Sequence, residues 1–272
     1  MTSLTRRVAR AAALTAAVTG LGGVAALAAL LAGEVVAART RRYATPSLGL
    51  AVRASLGEPT APPLRLTLLG DASALGVGVE SPRDTLGGQL ASLLVLDDSG
   101  PGGVRGRRVE LSSVAVAGSR SSDLATQVSR ALIGTRPDVA VILIGAGDAT
   151  DLRRPSEVAV ELSTAVRRLR HAEVSVVVGT CPDLGACRAF APPLRQLLGW
   201  HSRRIARAQA LAAEAAGAQV VDLGAETGPV FRADSGTLCF DGFHPSADGY
   251  RVWAHALYPA VRAAAVGVDH EL

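Results

Sequence analysis

The chain reads as an α/β protein, a three-layer α/β/α sandwich built on a five-stranded parallel sheet and preceded by an N-terminal transmembrane helix. Three observations carry this expectation. From residue 64 onwards, short apolar runs alternate with amphipathic stretches of helical length, and such alternation implies right-handed crossovers and a sheet covered on both faces. One run, Val139 to Ile144, is apolar at every position, the pattern of a strand buried on both sides. Ahead of the domain, Ala11 to Gly33 carry no charge.

As a helix that leader would span about 34 Å at 1.5 Å per residue. This is enough for a bilayer core of about 30 Å, and longer than the apolar region of a cleaved signal peptide, about 7–15 residues. Residues 1–42 are therefore expected to form an uncleaved anchor. Arg6, Arg7 and Arg10 precede the apolar segment and Arg39, Arg41 and Arg42 follow it, so the positive-inside rule gives no orientation. Residues 43–63 are rich in Pro, Ser and Thr and read as a linker; residues 64–272 read as one domain. Its strands are expected over Leu64 to Leu69, Val109 to Val116, Val139 to Ile144, Val174 to Gly179 and Val220 to Leu223, each a short apolar run. Helices are expected over Thr85 to Leu96, Ser122 to Ile133, Pro155 to Leu169, Pro192 to Ala216 and Ser246 to Ala264, where apolar residues recur every three or four positions.

About half the residues are apolar, 49%, enough for a substantial core. Every basic residue is Arg, and the net charge is +4 with a pI near 9.5. The arginines are scattered through helices or flank the leader, and aromatic residues make up only 3%, too few for base-stacking platforms, so no nucleic-acid partner is expected. Cys181, Cys187 and Cys239 cannot all pair. One disulfide, from Cys181 to Cys187 or to Cys239, and three free thiols both remain open. No Cys/His grouping has zinc-site spacing, and neither metal nor cofactor is implied.

The densest chemical signal is Asp241-Gly242-Phe243-His244-Pro245. A histidine acting as general base needs a carboxylate to fix its tautomer and stabilise the imidazolium, and an Asp three residues earlier supplies one. The serine that such a pair would activate belongs where a strand leaves the sheet, and there the chain reads Gly70-Asp71-Ala72-Ser73. An alanine methyl can neither attack an acyl carbon nor donate a proton.

Taken in order, these segments resemble the blocks of the SGNH (GDSL-type) hydrolases, particularly the membrane-anchored actinobacterial ones. The first block, Gly-Asp-Ser followed by three residues and Gly, falls on Gly70, Asp71 and Gly76. It puts the nucleophile position at Ala72 and leaves Ser73 one place late. The second, a glycine whose N–H helps to bind the oxyanion, falls on Gly118. The third, Gly-x-Asn-Asp, falls on Gly145-Ala146-Gly147-Asp148, with Gly147 where the Asn would donate. The last, Asp-x-x-His, is intact as Asp241 and His244.

The resemblance spans about residues 64–263. It implies a flavodoxin-like SGNH fold, an ester-hydrolase lineage, an extracytoplasmic domain, and an acyl ester or acylated glycan as small-molecule ligand. The leading reading is a catalytically degenerate protein that keeps the pocket at Asp71, Ala72, Gly118 and Gly147 for binding or regulation in the cell envelope. The alternative is an active serine esterase or lipase with Ser73 as nucleophile, His244 as base and Asp241 as its orienter. Against Ser73, one step along a helix turns a side chain by about 100°, away from a His placed to meet residue 72. Gly147 alone reads as a turn residue, and His171, His201, His255 and His270, without motif context, as surface residues.

Overall fold

The computed structural model of the chain describes residues 26–49, 52–97 and 106–267. Its strands are β1 (Arg53–Leu56), β2 (Pro63–Gly70), β3 (Arg108–Ser113), β4 (Val139–Leu143), β5 (Ser175–Gly179) and β6 (Gln219–Val221), in one sheet ordered β1-β3-β2-β4-β5-β6. Strands β2 to β6 pair in parallel, as expected. The expected five-stranded parallel sheet is corrected to a mixed sheet of six, because β1 pairs antiparallel with β3, Arg53 opposite Ser112. It arises inside the segment read as a linker. As an edge strand it needs only one apolar face, which Ala54 and Leu56 supply against the core.

The helices are α1 (residues 26–40), α2 (Ala72–Leu75), α3 (Leu86–Val95), α4 (Leu124–Ala131), α5 (Ala146–Thr150), α6 (Pro155–His171), α7 (Leu194–Ala215), α8 (Leu223–Ala233) and α9 (Ala247–Gly267). Strand β4 shows how they sandwich the sheet. Val139, Val141 and Leu143 join the core shared with α3 and α9, while Ala140 and Ile142 join the core shared with α4 and α6. Successive side chains of a strand point to opposite faces, so an unbroken apolar run has a partner layer on each side. A fully buried Leu, Ile or Val contributes about 1.5–3 kcal/mol. Of the expected anchor, residues 1–25 lie outside the described residues. No helix among the described residues is long and apolar enough to cross a membrane.

The carboxyl edge of the sheet is shaped by backbone contacts. Gly70 has φ +137°, and a Cβ there would lie 1.7 Å from the Leu143 carbonyl oxygen, so only glycine lets β2 leave the sheet against β4. Two buried glutamines then satisfy backbone groups where the strands diverge. Gln127 accepts from Gly70 N at 2.7 Å and donates to Gly70 O at 2.8 Å. Gln209 accepts from Cys181 N at 2.7 Å and donates to Ile144 O at 2.9 Å, tying the end of β4 to the end of β5. Left unpaired in the interior, each of these groups would cost about 1–3 kcal/mol.

Candidate active site

Asp71 leaves β2 and caps α2, its Oδ1 accepting from Ser73 N at 2.9 Å. Burial pushes its carboxyl up to about 6; the Ser73 amide and hydroxyl and the His244 charge pull the other way, and the Asp148 charge adds to the rise. The chain then runs beneath the Asp241–His244 loop. Gly78, at φ +107°, passes so close that a Cβ would meet the Pro245 carbonyl oxygen at 2.4 Å, and Tyr250 Oη donates to Val77 O at 2.7 Å.

The Asp-His pair is assembled. Asp241 Oδ1 accepts the amides of Phe243 at 2.7 Å and His244 at 2.9 Å. Its Oδ2 accepts the Ala44 amide at 2.8 Å and meets His244 Nδ1 at 2.7 Å. Burial alone would raise Asp241, but the bond with the imidazole and the amides of Ala44, Phe243 and His244 outweigh it and hold the carboxyl well below the usual carboxylate range. A carboxylate accepting at Nδ1 assigns the proton to that nitrogen and leaves the lone pair on Nε2. Among the described residues Nε2 has no hydrogen-bond partner, so one ring nitrogen of His244 is unengaged.

Ser73 makes no hydrogen bond with it. Together with Ala146, Leu184, Phe243 and Trp253, Ser73 lines an inner hollow of about 30 Å³, room for about one water.

Gly118 has φ +84° and open space where a Cβ would stand, and its N–H has no partner among the described residues. Gly147 is no turn residue: it lies inside α5. Its missing side chain makes room for Arg120, whose Nη1 would lie 2.5 Å from a Cβ at 147. Arg120 is held there by Asp151 at 2.6 Å and by the Gly118 carbonyl. A guanidinium thus occupies the space beside Gly147. Asp148 is fully buried and structural, accepting from Ser121 N at 3.0 Å, Ser121 Oγ at 2.9 Å and Arg153 at 3.0 Å, which ties the second block to the third.

Beside His244 opens an apolar cavity of about 370 Å³, walled by Val35, Ala38, Tyr43, Phe190, Leu197 and Phe243 among others. Part of that wall is the N-terminal segment. Glu34 accepts from Leu194 N at 2.8 Å, and the Tyr43 ring stands edge-on to Phe243 at 5.7 Å and to His244 at 6.5 Å. Sequence reasoning missed Arg120, Tyr43, Ala44 and both glutamines. Only the glutamines carried a signal, as polar residues on the apolar faces of their helices. His201, read as a surface residue, is buried with Nε2 3.0 Å from Arg153 O.

All three cysteines are free. Burial pushes the Cys187 thiol up to about 12 and Cys181 well above its usual value, while Cys239, whose Sγ lies 3.2 Å from Asp241 Oδ1, is raised to about 11. With so little thiolate at pH 8, iodoacetamide should alkylate Cys239 slowly in the native chain and reach Cys181 and Cys187 only after unfolding. Peptide mass spectrometry reads this, and rapid native labelling of either buried thiol would contradict it.

Residues 68–252 match the GDSL-like Lipase/Acylhydrolase family. The GDSL-like esterase Rv1075c of Mycobacterium tuberculosis is 41% identical over 204 residues; the match covers 74% of this chain and 62% of that protein's length. Among solved structures, a lipolytic protein of the G-D-S-L family from Veillonella parvula superposes with a TM-score of 0.57 at 14% identity, over 72% of this chain and 97% of that one. A lipase/acylhydrolase from Enterococcus faecalis gives 0.56 at 18%, over 74% and 96%. At such identities the two structures speak for the fold alone. The matched span, the 41% identical relative and the Asp241–His244 geometry lead to one conclusion: the chain belongs to the GDSL-like lipase/acylhydrolase family.

Proposed function

We propose that this chain is a catalytically degenerate member of its family that binds an acyl ester or acylated glycan and serves a binding or regulatory role in the cell envelope. The observation that carries the reading is the pair of replacements at one site: Ala72 where the nucleophile belongs, and Arg120 filling the space that Gly147 leaves empty. Both fall on groups that act only during acyl transfer. The parts that serve binding are intact, namely the apolar cavity beside His244 and the open amide of Gly118. A cavity of this volume suits a ligand of modest size. The proposal places the domain outside the cytoplasm, held to the membrane by the apolar leader of residues 11–33, whose length matches a bilayer.

Fluorophosphonate labelling of the purified chain tests the reading, because only an activated serine reacts fast. The expected result is no labelling, with hydrolysis of p-nitrophenyl butyrate equal in the native chain and in His244→Ala. Labelling that disappears in Ser73→Ala would overturn it and make Ser73 the nucleophile of an active esterase.

A further inference from the structure

A second cleft is built from arginine. On α7, Arg195, Gly199, Arg203 and Arg207 stand four residues apart and share one helix face, with about 6 Å between successive positions. Arg188, from the loop after β5, and Arg232, on α8, complete the walls. Gly199 packs against Gly185 so closely that a Cβ would meet the Gly185 Cα at 2.7 Å, which gives the cleft a backbone floor between Arg195 and Arg203. Two adjoining hollows of about 530 and 370 Å³ share Asp183, Arg203 and Arg232, and together they are lined by five arginines and two aspartates.

The two carboxylates are already engaged. Asp183 is buried, accepts from Gly185 N at 2.9 Å and from Arg203 at 3.1 Å, and pairs with Arg232 through its other oxygen. It holds those two guanidiniums, from different helices, in fixed positions with their outer edges exposed. Asp222 caps α8 through Ala225 N at 3.0 Å. Among the described residues, Arg188 reaches only the Arg232 carbonyl, at 3.5 Å, and Arg195 and Arg207 have no side-chain partner. Asp183 thus offsets charge at Arg203 and Arg232 only, and Arg195 and Arg207 keep their charge on the same helix face.

We propose that this trough binds an elongated anion carrying several phosphate groups. Guanidinium forks match phosphate oxygens bidentately, and three or more uncompensated cations call for a multiply charged partner. Arg195 and Arg207 lie about 18 Å apart along the helix, so one phosphate cannot meet both, whereas a phosphate chain or an array of phosphate headgroups can. The site owes nothing to the fate of Ala72 and lies outside the His244 cavity.

Calorimetric titration of the full chain at low salt, with medium-length linear polyphosphate and with orthophosphate, is the test. Polyphosphate is expected to bind about tenfold tighter per molecule than orthophosphate, to weaken steeply as salt rises, and to lose about tenfold in the double variant Arg195→Gln/Arg207→Gln. Both side chains are unpaired, so the variant should melt with the native chain; if it does not, the single variants carry the same comparison. A parallel arm measures binding to phosphatidylglycerol vesicles over phosphatidylcholine vesicles. An arginine-dependent excess there, with or without polyphosphate binding, supports the trough and makes a lipid surface the phosphate source. Equal affinity in native and double-variant chains, or no binding of the native chain to either phosphate source, overturns it.

Discussion

Ala72→Ser is expected to hydrolyse p-nitrophenyl acetate about 10³-fold faster than the native chain. Removing the serine from a working triad costs about 10⁶ in kcat, and His244, its ring held by Asp241 at 2.7 Å, keeps a lone pair that can take the proton of a hydroxyl within its reach. Full recovery is not expected, because loss of one side-chain oxyanion donor costs about 10²–10³ and Gly147 has no side chain to donate. Adding Gly147→Asn should help little by itself, since the new Cβ would sit 2.5 Å from Arg120 Nη1. The asparagine should contribute only when Arg120→Ala clears the space. The changes should therefore combine non-additively. Initial rates of the single, double and triple variants, each also with His244→Ala, measure this. A folded Ala72→Ser no faster than the native chain would mean that His244 does not face position 72.

Asp71→Asn should stabilise the chain at neutral pH and leave it unchanged near pH 4. The Asp71 carboxyl titrates at about 6 in the folded chain, burial being the main cause, against about 3.9 when unfolded. Between those values the folded state holds the extra proton. The contribution is thus fully present below about pH 4 and is lost as pH rises through about 6. Ionised Asp71 costs about 2–3 kcal/mol above that window, and asparagine avoids the cost while keeping an oxygen for the Ser73 amide. Melting curves should show the variant roughly 5–10 °C higher at pH 7.5 and level with the native chain at pH 4. A difference independent of pH would assign it to packing instead of charge.

The parallel core was legible because its strands are near-continuous Val, Leu and Ile runs. Strand β4 falls at Val139–Leu143, one residue short of the run read from the sequence. What stayed hidden lacks a periodic signature. Strand β1 is four residues of a half-exposed edge. Helix α8 contains Pro229, Gly224 and Gly228, a composition of loops, yet it forms because Asp222 caps it and Leu223, Thr227 and Phe231 are buried along one side. At the site, Asp241 and His244 were readable because an Asx-type turn brings residues three apart into contact. Arg120 was not, since its role is defined by the absence of a side chain 27 residues away.

Ala44 gives its amide to Asp241 across 197 residues of chain. The Asp241 carboxylate therefore works as a clasp between two segments far apart in sequence. Closing a contact of such sequence separation carries a large loop entropy, so it forms late. During synthesis from the N-terminus, the strap of residues 41–48 must wait for almost the whole domain before Asp241 arrives to receive it. The same clasp argues against trimming: a chain cut back to Pro63 would keep Asp241 and His244 but lose one of the amides that hold the carboxylate charged. Activity assays on such a fragment, with or without a serine at 72, would report on a weakened dyad.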